Sequence, residues 1–289
     1  MNLIISYEMK KRISITVNRS IIYQVDQLVD GHKIKNRSHA VEILLSKALG
    51  SHKIHTGVIL AGGIGSRLRP ITHEIPKPLL PVKNKPVMEY NVELFKRHGI
   101  KHIVLALGYK AEKIKNYFGN GSNFGVDFTY VIEKQPMGTA GPLRLAKKYL
   151  KSTFVVANAD ELKDVDITDM YRFHKANKAL ITIALTTVED PSKYGVARLQ
   201  GSRILEFIEK PKRGEEPSKL INSGLYILEP QVINYIPKGF SMLEKDVFPK
   251  LAKAGKVYGY PFTGQWFNTG TLEEYEKAIK GWKGFQKRA

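Results

Sequence analysis

The chain has 289 residues, of which 43% are hydrophobic, so it can bury the core of one large domain or of two smaller ones. It contains no cysteine, which excludes disulfides, thiolate metal sites and cysteine nucleophiles. The formal charge of +19 favours anionic partners, which could be nucleic acid, phosphorylated metabolites or both, although a solvated lysine-rich surface would give the same composition.

The opening residues, MNLIISYEMKK, lack both the long apolar centre and the small-residue cleavage site of a secretory signal. Nowhere does an apolar run approach the roughly 20 residues that span a bilayer. We therefore expect a cytoplasmic protein with no membrane segment.

The first predicted unit covers residues 9–50 and consists of one strand and two helices. Polar and apolar residues alternate over residues 12–17, as they do in a half-exposed strand. Apolar residues then recur at helical spacing over residues 21–29, and Asn36 or Ser38 can cap a second helix. A unit of this size buries too little surface by itself, and its lone strand needs a partner strand from another chain. We therefore expect this unit to dimerise.

The same segment, in which KRISITV precedes two helices, resembles the ribbon-helix-helix DNA-binding family. In that family, strands from two chains form an antiparallel ribbon in the major groove, and alternate side chains meet the base edges. The N–H groups that begin the second helix hold a DNA phosphate. The alternative is a dimerisation arm whose polar strand face meets only water. By position, the DNA contacts that the resemblance implies are Arg12, Ser14, Thr16, Arg37 and Ser38.

A short linker, residues 51–55, precedes a longer region, residues 56–289, with a different periodicity. Apolar runs such as GVILAG, HIVLALG and TFVVANAD predict buried strands of a mostly parallel sheet, and residues 87–98 and 111–118 predict crossover helices. The region is therefore predicted to be an α/β sandwich. Because ligands bind beyond the carboxyl ends of the strands in such sheets, the residues that follow each strand are the site candidates.

The first predicted strand of this region runs into AGGIGSRLRP, residues 61–70. Three glycines in four residues allow the backbone to approach an anion closely and to turn its N–H groups toward a triphosphate. The sequence lacks the lysine of a P-loop and does not fit the dinucleotide-binding pattern, so those two sites are excluded.

The glycine-rich sequence continues to PKPLLPV, residues 76–82. The two parts together resemble the signature of sugar-nucleotide pyrophosphorylases, G-G-x-G-[ST]-R-L-x-P-x-T followed by P-K-P-L-[LV]-P-[VI]. The resemblance implies a Rossmann-like nucleotidyltransferase that joins a sugar 1-phosphate to a nucleoside triphosphate and releases pyrophosphate. It also implies that Arg67 and Lys77 are the catalytic cations. The nucleotide-binding residues that it implies are Ala61, Gly62, Gly63, Gly65, Ser66, Gly138 and Thr139.

The reaction explains these residue types. A phosphate oxygen of the sugar attacks the α-phosphorus, which brings two anions together and builds charge on the departing pyrophosphate. Positioning and cationic stabilisation then supply most of the catalysis. Neither a protein nucleophile nor a general base is needed, because a phosphate monoester is already ionised at neutral pH.

Residues 133–143, EKQPMGTAGPL, are similar to the loop of that family whose backbone meets the nucleobase around Gly138 and Thr139. The form GTAGPL is common in enzymes that make GDP-mannose and also occurs in relatives that use other nucleotides. GTP with mannose 1-phosphate, and UTP or dTTP with glucose 1-phosphate, therefore all remain open.

The resemblance also implies a Mg²⁺ site. Asp160 follows a predicted strand and matches the carboxylate that binds Mg²⁺ against the α-phosphate. Near the C-terminus, relatives read W-x-D-[IT]-G-[TN] and use that aspartate as the second metal ligand, whereas this chain has Asn268. An amide oxygen can coordinate magnesium but brings no negative charge, so we expect weaker metal binding.

Three further segments match the sugar side of the family, namely DPSKYGV at residues 190–196, EKP at residues 209–211 and NSGLY at residues 222–226. Each alone would be typical of a turn or a surface pair, but here they occur in the family's order. The sugar-phosphate contacts that they imply are Gly195, Glu209, Lys210, Asn222 and Gly224.

Three functions agree with these predictions. The chain could be an active nucleotidyltransferase that its N-terminal unit dimerises, or a DNA-binding transcriptional regulator whose catalytically weak nucleotidyltransferase domain senses a ligand. It could also be a bifunctional protein that makes a sugar nucleotide and represses its own pathway. The expected partners are a nucleoside triphosphate, a sugar 1-phosphate, a DNA operator and further copies of the chain, as a homodimer or a higher homo-oligomer.

Overall fold

The computed structural model describes residues 13–32, 34–48 and 53–286 of the chain. The chain divides between His52 and Lys53 into two compact units. Within the described ranges, we find no helix that is long and apolar enough to cross a membrane.

The N-terminal unit contains both predicted helices, α1 (Arg19–Asp26) and α2 (Arg37–Ala48). Of the two predicted caps, Asn36 is the one that caps α2, since its side chain accepts a backbone N–H at 2.9 Å. Arg37 donates to both carboxylate oxygens of Asp26 at 2.7 Å. This pair of hydrogen bonds ties the start of α2 to the end of α1.

The predicted strand of this unit is not formed within the single chain. Residues 13–18 are neither helix nor strand, and Arg12 lies outside the described residues. The two-stranded ribbon therefore stays a prediction, because its formation requires a strand from a second chain. The helix predicted over residues 21–29 ends earlier, at Asp26. The N–H groups of Leu28 and Val29 donate to the carbonyls three residues before them, at 3.1 Å each, so these residues form turns instead of continuing the α-helix.

The C-terminal unit is an α/β fold around a nine-stranded sheet, counted over residues 53–286. Its strands are β1 (Thr56–Ala61), β2 (Pro81–Val82), β3 (Lys85–Pro86), β4 (His102–Leu107), β5 (Asp127–Ile132), β6 (Phe154–Asn158), β7 (Glu161–Lys163), β8 (Ile181–Thr187), β9 (Gly195–Gln200), β10 (Arg203–Glu209), β11 (Leu220–Leu228), β12 (Val257–Pro261) and β13 (Trp266–Asn268). Its α-helices are α3 (Ile71–Glu74), α4 (Val87–Arg97), α5 (Ala111–Phe118), α6 (Gly141–Leu145), α7 (Ile167–Ala176), α8 (Phe248–Lys253) and α9 (Leu272–Gly281).

The large sheet has the strand order β5-β4-β1-β6-β11-β8-β12-β10-β9. β5, β4, β1 and β6 are parallel, and α4 and α5 cross between them as predicted. The other half is mixed, contrary to the prediction of a mostly parallel sheet. There β12 is parallel to β8, but β11 lies antiparallel between β6 and β8, and β10 pairs antiparallel with β9 and β12. The connections explain the difference. β9 and β10 are joined by two residues, and a parallel pair needs a crossover of a dozen or more.

Two apolar cores cover the two faces of the sheet. Successive residues of a strand point to opposite faces. Val58 of β1 therefore packs in one core with Val156, whereas Ile59 packs in the other core with Val155. The register, with Leu60 opposite Asn158, brings the carboxyl ends of β1 and β6 to the same edge. The glycine-rich loop and the segment that contains the predicted metal ligand therefore leave the sheet side by side.

Candidate active site

An open cleft of about 1120 Å³ lies at this edge of the sheet. It is lined by residues from both the phosphate and metal set and the sugar set. The predicted residues that line it are Arg67, Asp160, Asn268, Gly195, Glu209, Lys210 and Asn222.

The glycine-rich loop that follows β1 is fixed on two sides. Gly65 has a φ of 71°, and a Cβ on it would lie 2.9 Å from Thr72, whose hydroxyl donates to the Gly65 carbonyl at 2.9 Å. A Cβ on Gly62 would lie 2.2 Å from a carboxylate oxygen of Glu133. A Cβ on Gly63, by contrast, would meet no atom within 4 Å. The loop backbone is therefore held from behind and accessible at Gly63.

Glu133 links this loop to the predicted base loop. It follows β5 and accepts the Met137 N–H at 2.9 Å. Burial raises the pKa of its carboxyl above the ordinary value. The two loops that the sequence assigns to the nucleotide therefore share one half-buried side chain.

Lys77 reaches the end of β6 across 83 residues of sequence. It begins a short 3₁₀ turn between Pro76 and Pro78, is 8% exposed, and pairs its ammonium group with the carboxylate of Asp160. Burial would raise the pKa of Asp160, but the Lys77 ammonium outweighs burial and lowers it. Asp160 is therefore an ionised carboxylate at neutral pH.

Asp160 and Asn268 are brought together by the small antiparallel pair of β7 and β13, in which Glu161 lies opposite Asn268. Thr269 adds two hydrogen bonds, because its N–H and its hydroxyl both donate to the Asp160 carbonyl, at 3.0 and 2.8 Å. Asn268 donates its amide N–H to Glu274 at 3.4 Å, so the amide oxygen is the atom that could face a metal. Arg67 also lies close to Asn268. A Cβ built on Gly270, two residues after Asn268, would lie 3.1 Å from the Arg67 guanidinium.

These donors suit a small hard cation. A carboxylate and an amide oxygen are ligands that Mg²⁺ accepts, and Mg²⁺ usually takes its other ligands from water and substrate phosphates. Residues 13–32, 34–48 and 53–286 contain no group of three or more histidine, aspartate or glutamate side chains that could hold a metal ion.

Glu161 and Lys163 are buried groups of the site that the motifs did not reveal. Glu161 accepts hydrogen bonds from Trp266 at 3.0 Å and Asn158 at 3.1 Å, and burial raises its pKa. Lys163 donates to the Gly224 carbonyl at 2.9 Å, and burial lowers its pKa. A Cβ on Gly224 would lie 2.5 Å from both carboxylate oxygens of Glu161. Gly224 is thus required for this close approach, although it does not line the cleft.

The sugar side of the cleft is centred on Glu209. A Cβ on Gly195 would lie 2.7 Å from its carboxylate, so only glycine permits this contact. Burial, followed by the nearby charge of Glu244, raises the pKa of Glu209 to about 7. The next residue, Lys210, has a φ of 51° and donates its backbone N–H to the Tyr194 carbonyl at 3.0 Å.

The base loop meets the sugar side through Glu244 and Tyr226, to which the sequence motifs assign no role. Thr139 donates its hydroxyl to Glu244, which lines the cleft. Glu244 also accepts from the Tyr226 hydroxyl at 3.3 Å, and that hydroxyl accepts from Asn222 at 2.8 Å. Asn222 in turn accepts the Gly224 N–H at 2.9 Å. Gly138 and Thr139 do not line the cleft themselves. Thr139 is connected to it through its hydrogen bond to Glu244.

Comparisons with known proteins agree with this geometry. A sequence model of the family described as nucleotidyl transferase matches residues 56–283. The chain is 41% identical over 228 residues to a mannose-1-phosphate guanyltransferase of Yarrowia lipolytica, which covers 76% of this chain and 61% of that protein. It is 40% identical over 241 residues to a UTP–glucose-1-phosphate uridylyltransferase of Synechocystis sp., which covers 78% of this chain and 62% of that protein.

The fold is similar to solved structures as well. A crystal structure of UDP-glucose pyrophosphorylase complexed with UDP-glucose superposes with a TM-score of 0.70 at 26% identity, over 78% of this chain and 97% of that one. The chain spans about three-fifths of the length of the two sequence relatives.

Proposed function

The chain belongs to the nucleotidyl transferase family, and on that premise we propose that its residues 56–289 transfer a nucleotidyl group from a nucleoside triphosphate to a sugar 1-phosphate. The observation that supports this most is the single cleft, in which Arg67 and Asp160 face the same space as Glu209 and Lys210. Arg67 carries the positive charge that suits a triphosphate, and the Asp160 carboxylate carries the negative charge that suits the accompanying Mg²⁺. Glu209 and Lys210 have the acceptor and the donor that suit a phosphorylated sugar.

In the proposed reaction, a phosphate oxygen of the sugar forms a bond to the α-phosphorus, and the bond from the α-phosphorus to the leaving pyrophosphate breaks. Arg67 and Lys77 hold the triphosphate and stabilise the charge on the leaving group. The glycine-rich loop, with Ala61, Gly62, Gly63, Gly65 and Ser66, supplies backbone N–H groups to the phosphates.

Asp160 and Asn268 are the proposed Mg²⁺ ligands. When bound, Mg²⁺ supplies a positive charge beside the phosphate oxygens. The protein groups around it have a separate task. Lys77 compensates the Asp160 carboxylate, and Thr269 fixes the backbone between the two ligands.

Three substrate combinations remain in the proposal, GTP with mannose 1-phosphate, UTP with glucose 1-phosphate and dTTP with glucose 1-phosphate. The relatives include a guanyltransferase for mannose 1-phosphate and a uridylyltransferase for glucose 1-phosphate at nearly equal identity, 41% and 40%. Their names therefore support the GTP and UTP combinations equally.

Pyrophosphate release tests the proposal. The full-length protein with Mg²⁺ should release pyrophosphate from at least one of GTP, UTP and dTTP combined with mannose or glucose 1-phosphate. Lys77→Ala should abolish most of this release, whereas Lys151→Ala, at an exposed lysine, should not. Release from no combination above the Lys77→Ala background would overturn the proposal.

A second proposed function concerns the N-terminal unit, proposed as residues 9–50 with a linker at residues 51–55. Among its described apolar side chains, Val25 and Ala40 are buried, whereas Ile13 and Ile15 are 63% and 59% exposed. This exposure supports a homodimer in which a second copy covers the apolar face. The other exposed large apolar residues of the unit are Ile21, Tyr23, Leu28, Leu44 and Leu45.

If that dimer is a ribbon-helix-helix, the polar strand positions Arg12, Ser14 and Thr16 meet DNA bases. Arg37 and Ser38 meet a phosphate through their backbone N–H groups, since the Arg37 guanidinium is already paired with Asp26. The protein would then regulate transcription, with the nucleotidyltransferase unit as ligand sensor or as active enzyme.

Salt-dependent binding to the protein's own upstream DNA tests this second function. Arg12→Ala should weaken binding to a specific site and leave pyrophosphate release unchanged. Arg198→Ala, at an exposed arginine of β9, should change neither DNA binding nor pyrophosphate release. Specific and non-specific DNA bound equally weakly by the wild type would rule out DNA recognition. A monomer in sedimentation velocity would rule out the dimer.

A further inference from the structure

We infer that Glu244 is a positioning residue that couples the base loop to the sugar pocket, so that a bound nucleotide sets the affinity for the sugar 1-phosphate. This inference rests on the proposed nucleotidyltransferase function. It concerns a residue to which none of the motifs assigns a role. Glu244 is 5% exposed, lines the cleft and belongs to a five-residue π-helical turn, Leu243–Val247. Such turns are rare and frequently occur at functional sites.

The donor and the acceptor of each hydrogen bond to Glu244 can be assigned. The Thr139 hydroxyl accepts the Leu243 N–H at 2.9 Å, so its single proton is donated to one carboxylate oxygen of Glu244. The Tyr226 hydroxyl accepts an amide N–H of Asn222 at 2.8 Å, so its proton is donated to the other carboxylate oxygen at 3.3 Å. Glu244 is therefore an acceptor at both oxygens. A glutamine could satisfy only one of the two hydroxyl donors.

At the nucleotide end, the base loop is fastened to the segment that leads into Glu244. The Ser241 N–H donates to the Met137 carbonyl at 3.1 Å, and the Ala140 N–H donates to the Ser241 carbonyl at 2.9 Å. A Cβ on Gly138 would lie 2.2 Å from the Ser241 carbonyl oxygen. With contacts this close, a shift of the base loop must also move residues 241–244.

At the sugar end, the same chain of hydrogen bonds reaches Asn222 and Gly224, and Gly224 packs directly on Glu161. Glu244 also acts on Glu209 through its charge, since it is the largest cause after burial that raises the pKa of Glu209. One residue thus touches the base loop through Thr139 and influences the sugar acceptors through hydrogen bonds and charge.

Binding measurements on the full-length protein test the coupling. Isothermal titration with Mg²⁺ gives the Kd of the sugar 1-phosphate with and without an α,β-methylene nucleoside triphosphate, whose α–β linkage cannot be cleaved. In the wild type, the analogue should tighten sugar-phosphate binding by about 5- to 150-fold, the usual range for coupled sites. In Glu244→Gln this ratio should fall to within about twofold of one, whereas Glu206→Gln, the same change at an exposed carboxylate of β10, should keep the wild-type ratio.

Tyr226→Phe is the second variant, because it conserves volume and removes only the hydroxyl next to Glu244. It should also lower the ratio of the two sugar 1-phosphate Kd values. If circular dichroism shows that Glu244→Gln does not fold, Tyr226→Phe tests the coupling alone. The inference is overturned if the wild type releases pyrophosphate but shows no coupling, or if folded Glu244 and Tyr226 variants keep the wild-type ratio. Absence of pyrophosphate release from the wild type would instead be a failure of the proposed function.

Discussion

The two ends of the cleft hold their carboxylates in opposite electrostatic states. At the phosphate end, the Lys77 ammonium keeps the pKa of Asp160 below its ordinary value although burial opposes this. At the sugar end, burial and the charge of Glu244 raise the pKa of Glu209 to about 7, and Lys210 offsets only part of that rise. The same type of group is thus ionised at one end and close to half-protonated at the other.

The side chains next to each carboxylate explain the difference in pKa and indicate which ligand groups each end suits. Lys77 and Arg67 carry full positive charges that suit phosphate oxygens. The sugar end instead surrounds its carboxylates with hydroxyls and amides, such as Tyr226 and Asn222, which suit neutral sugar hydroxyls. We therefore expect substitutions at the phosphate end to act on kcat and those at the sugar end to act on KM and its pH dependence.

The largest expected effect is at the phosphate end. Lys77→Ala should lower kcat by about 10²- to 10³-fold, because it removes one charge that stabilises the departing pyrophosphate. Steady-state pyrophosphate release at saturating Mg²⁺ measures this loss, with the exposed Lys151→Ala as the matched control. A loss of less than about threefold would show that Lys77 only balances the charge of Asp160.

The sugar end should show the next largest effect, as a pH dependence. The carboxyl of Glu209 is raised from its ordinary pKa of 4.5 to about 7, so it is mostly protonated at pH 6 and mostly ionised at pH 8. The ionised form accepts hydrogen bonds from sugar hydroxyls with both oxygens. The KM for the sugar 1-phosphate should therefore fall by about fourfold as the pH rises from 6 to 8, since a hydrogen bond to a charged group adds about 1 kcal/mol.

Glu209→Gln separates this titration from that of the substrate phosphate. The variant should have a KM near the wild-type value at pH 6 and should lose the part of the pH dependence that exceeds the phosphate's own ionisation. A profile with the same inflection in wild type and variant would assign the titration to another group.

How well the sequence predicts the two ends of the cleft depends on what brings the contacting residues together. The glycine-rich loop and Asp160 could be placed together, because parallel strands end at one edge of a sheet and both segments follow such strands. The motifs also brought the sugar residues Glu209 and Asn222 into the same cleft. Strand direction and short motifs can both be predicted from the amino-acid sequence.

Contacts that depend on neither strand direction nor a short motif could not be predicted in this way. Glu244 and Thr139 are 105 residues apart, and their hydrogen bond depends on how a π-helical turn meets the base loop. Lys163 reads as an ordinary strand residue, yet it is buried because β7 pairs with β13 and turns its side chain toward Gly224. Periodicity gives the face of a strand but not its partner, so such groups emerge only from the fold.

The smallest expected effect concerns the proposed metal position, where the motif that the sequence resembles has an aspartate and this chain has Asn268. Asn268→Asp adds the carboxylate of that motif, and charge count tunes the affinity of such sites, so half-saturating Mg²⁺ should fall by about three- to fivefold. The new carboxylate also lies where the amide now donates to Glu274 at 3.4 Å, which turns an attractive contact into a repulsive one. Without Mg²⁺, each 1 kcal/mol of that repulsion should lower the Tm by about 2–4 °C.

Added Mg²⁺ should restore the Tm of Asn268→Asp more than it raises that of the wild type, because a ligand stabilises in proportion to its affinity for the folded state. Calorimetric scans with and without Mg²⁺, together with the Mg²⁺ dependence of kcat, measure the two effects. Asn234→Asp makes the same chemical change at an exposed position and should alter neither. If the 268 variant also alters neither, Asn268 is not a metal ligand, and the phosphate end depends on Asp160 and the two cations alone.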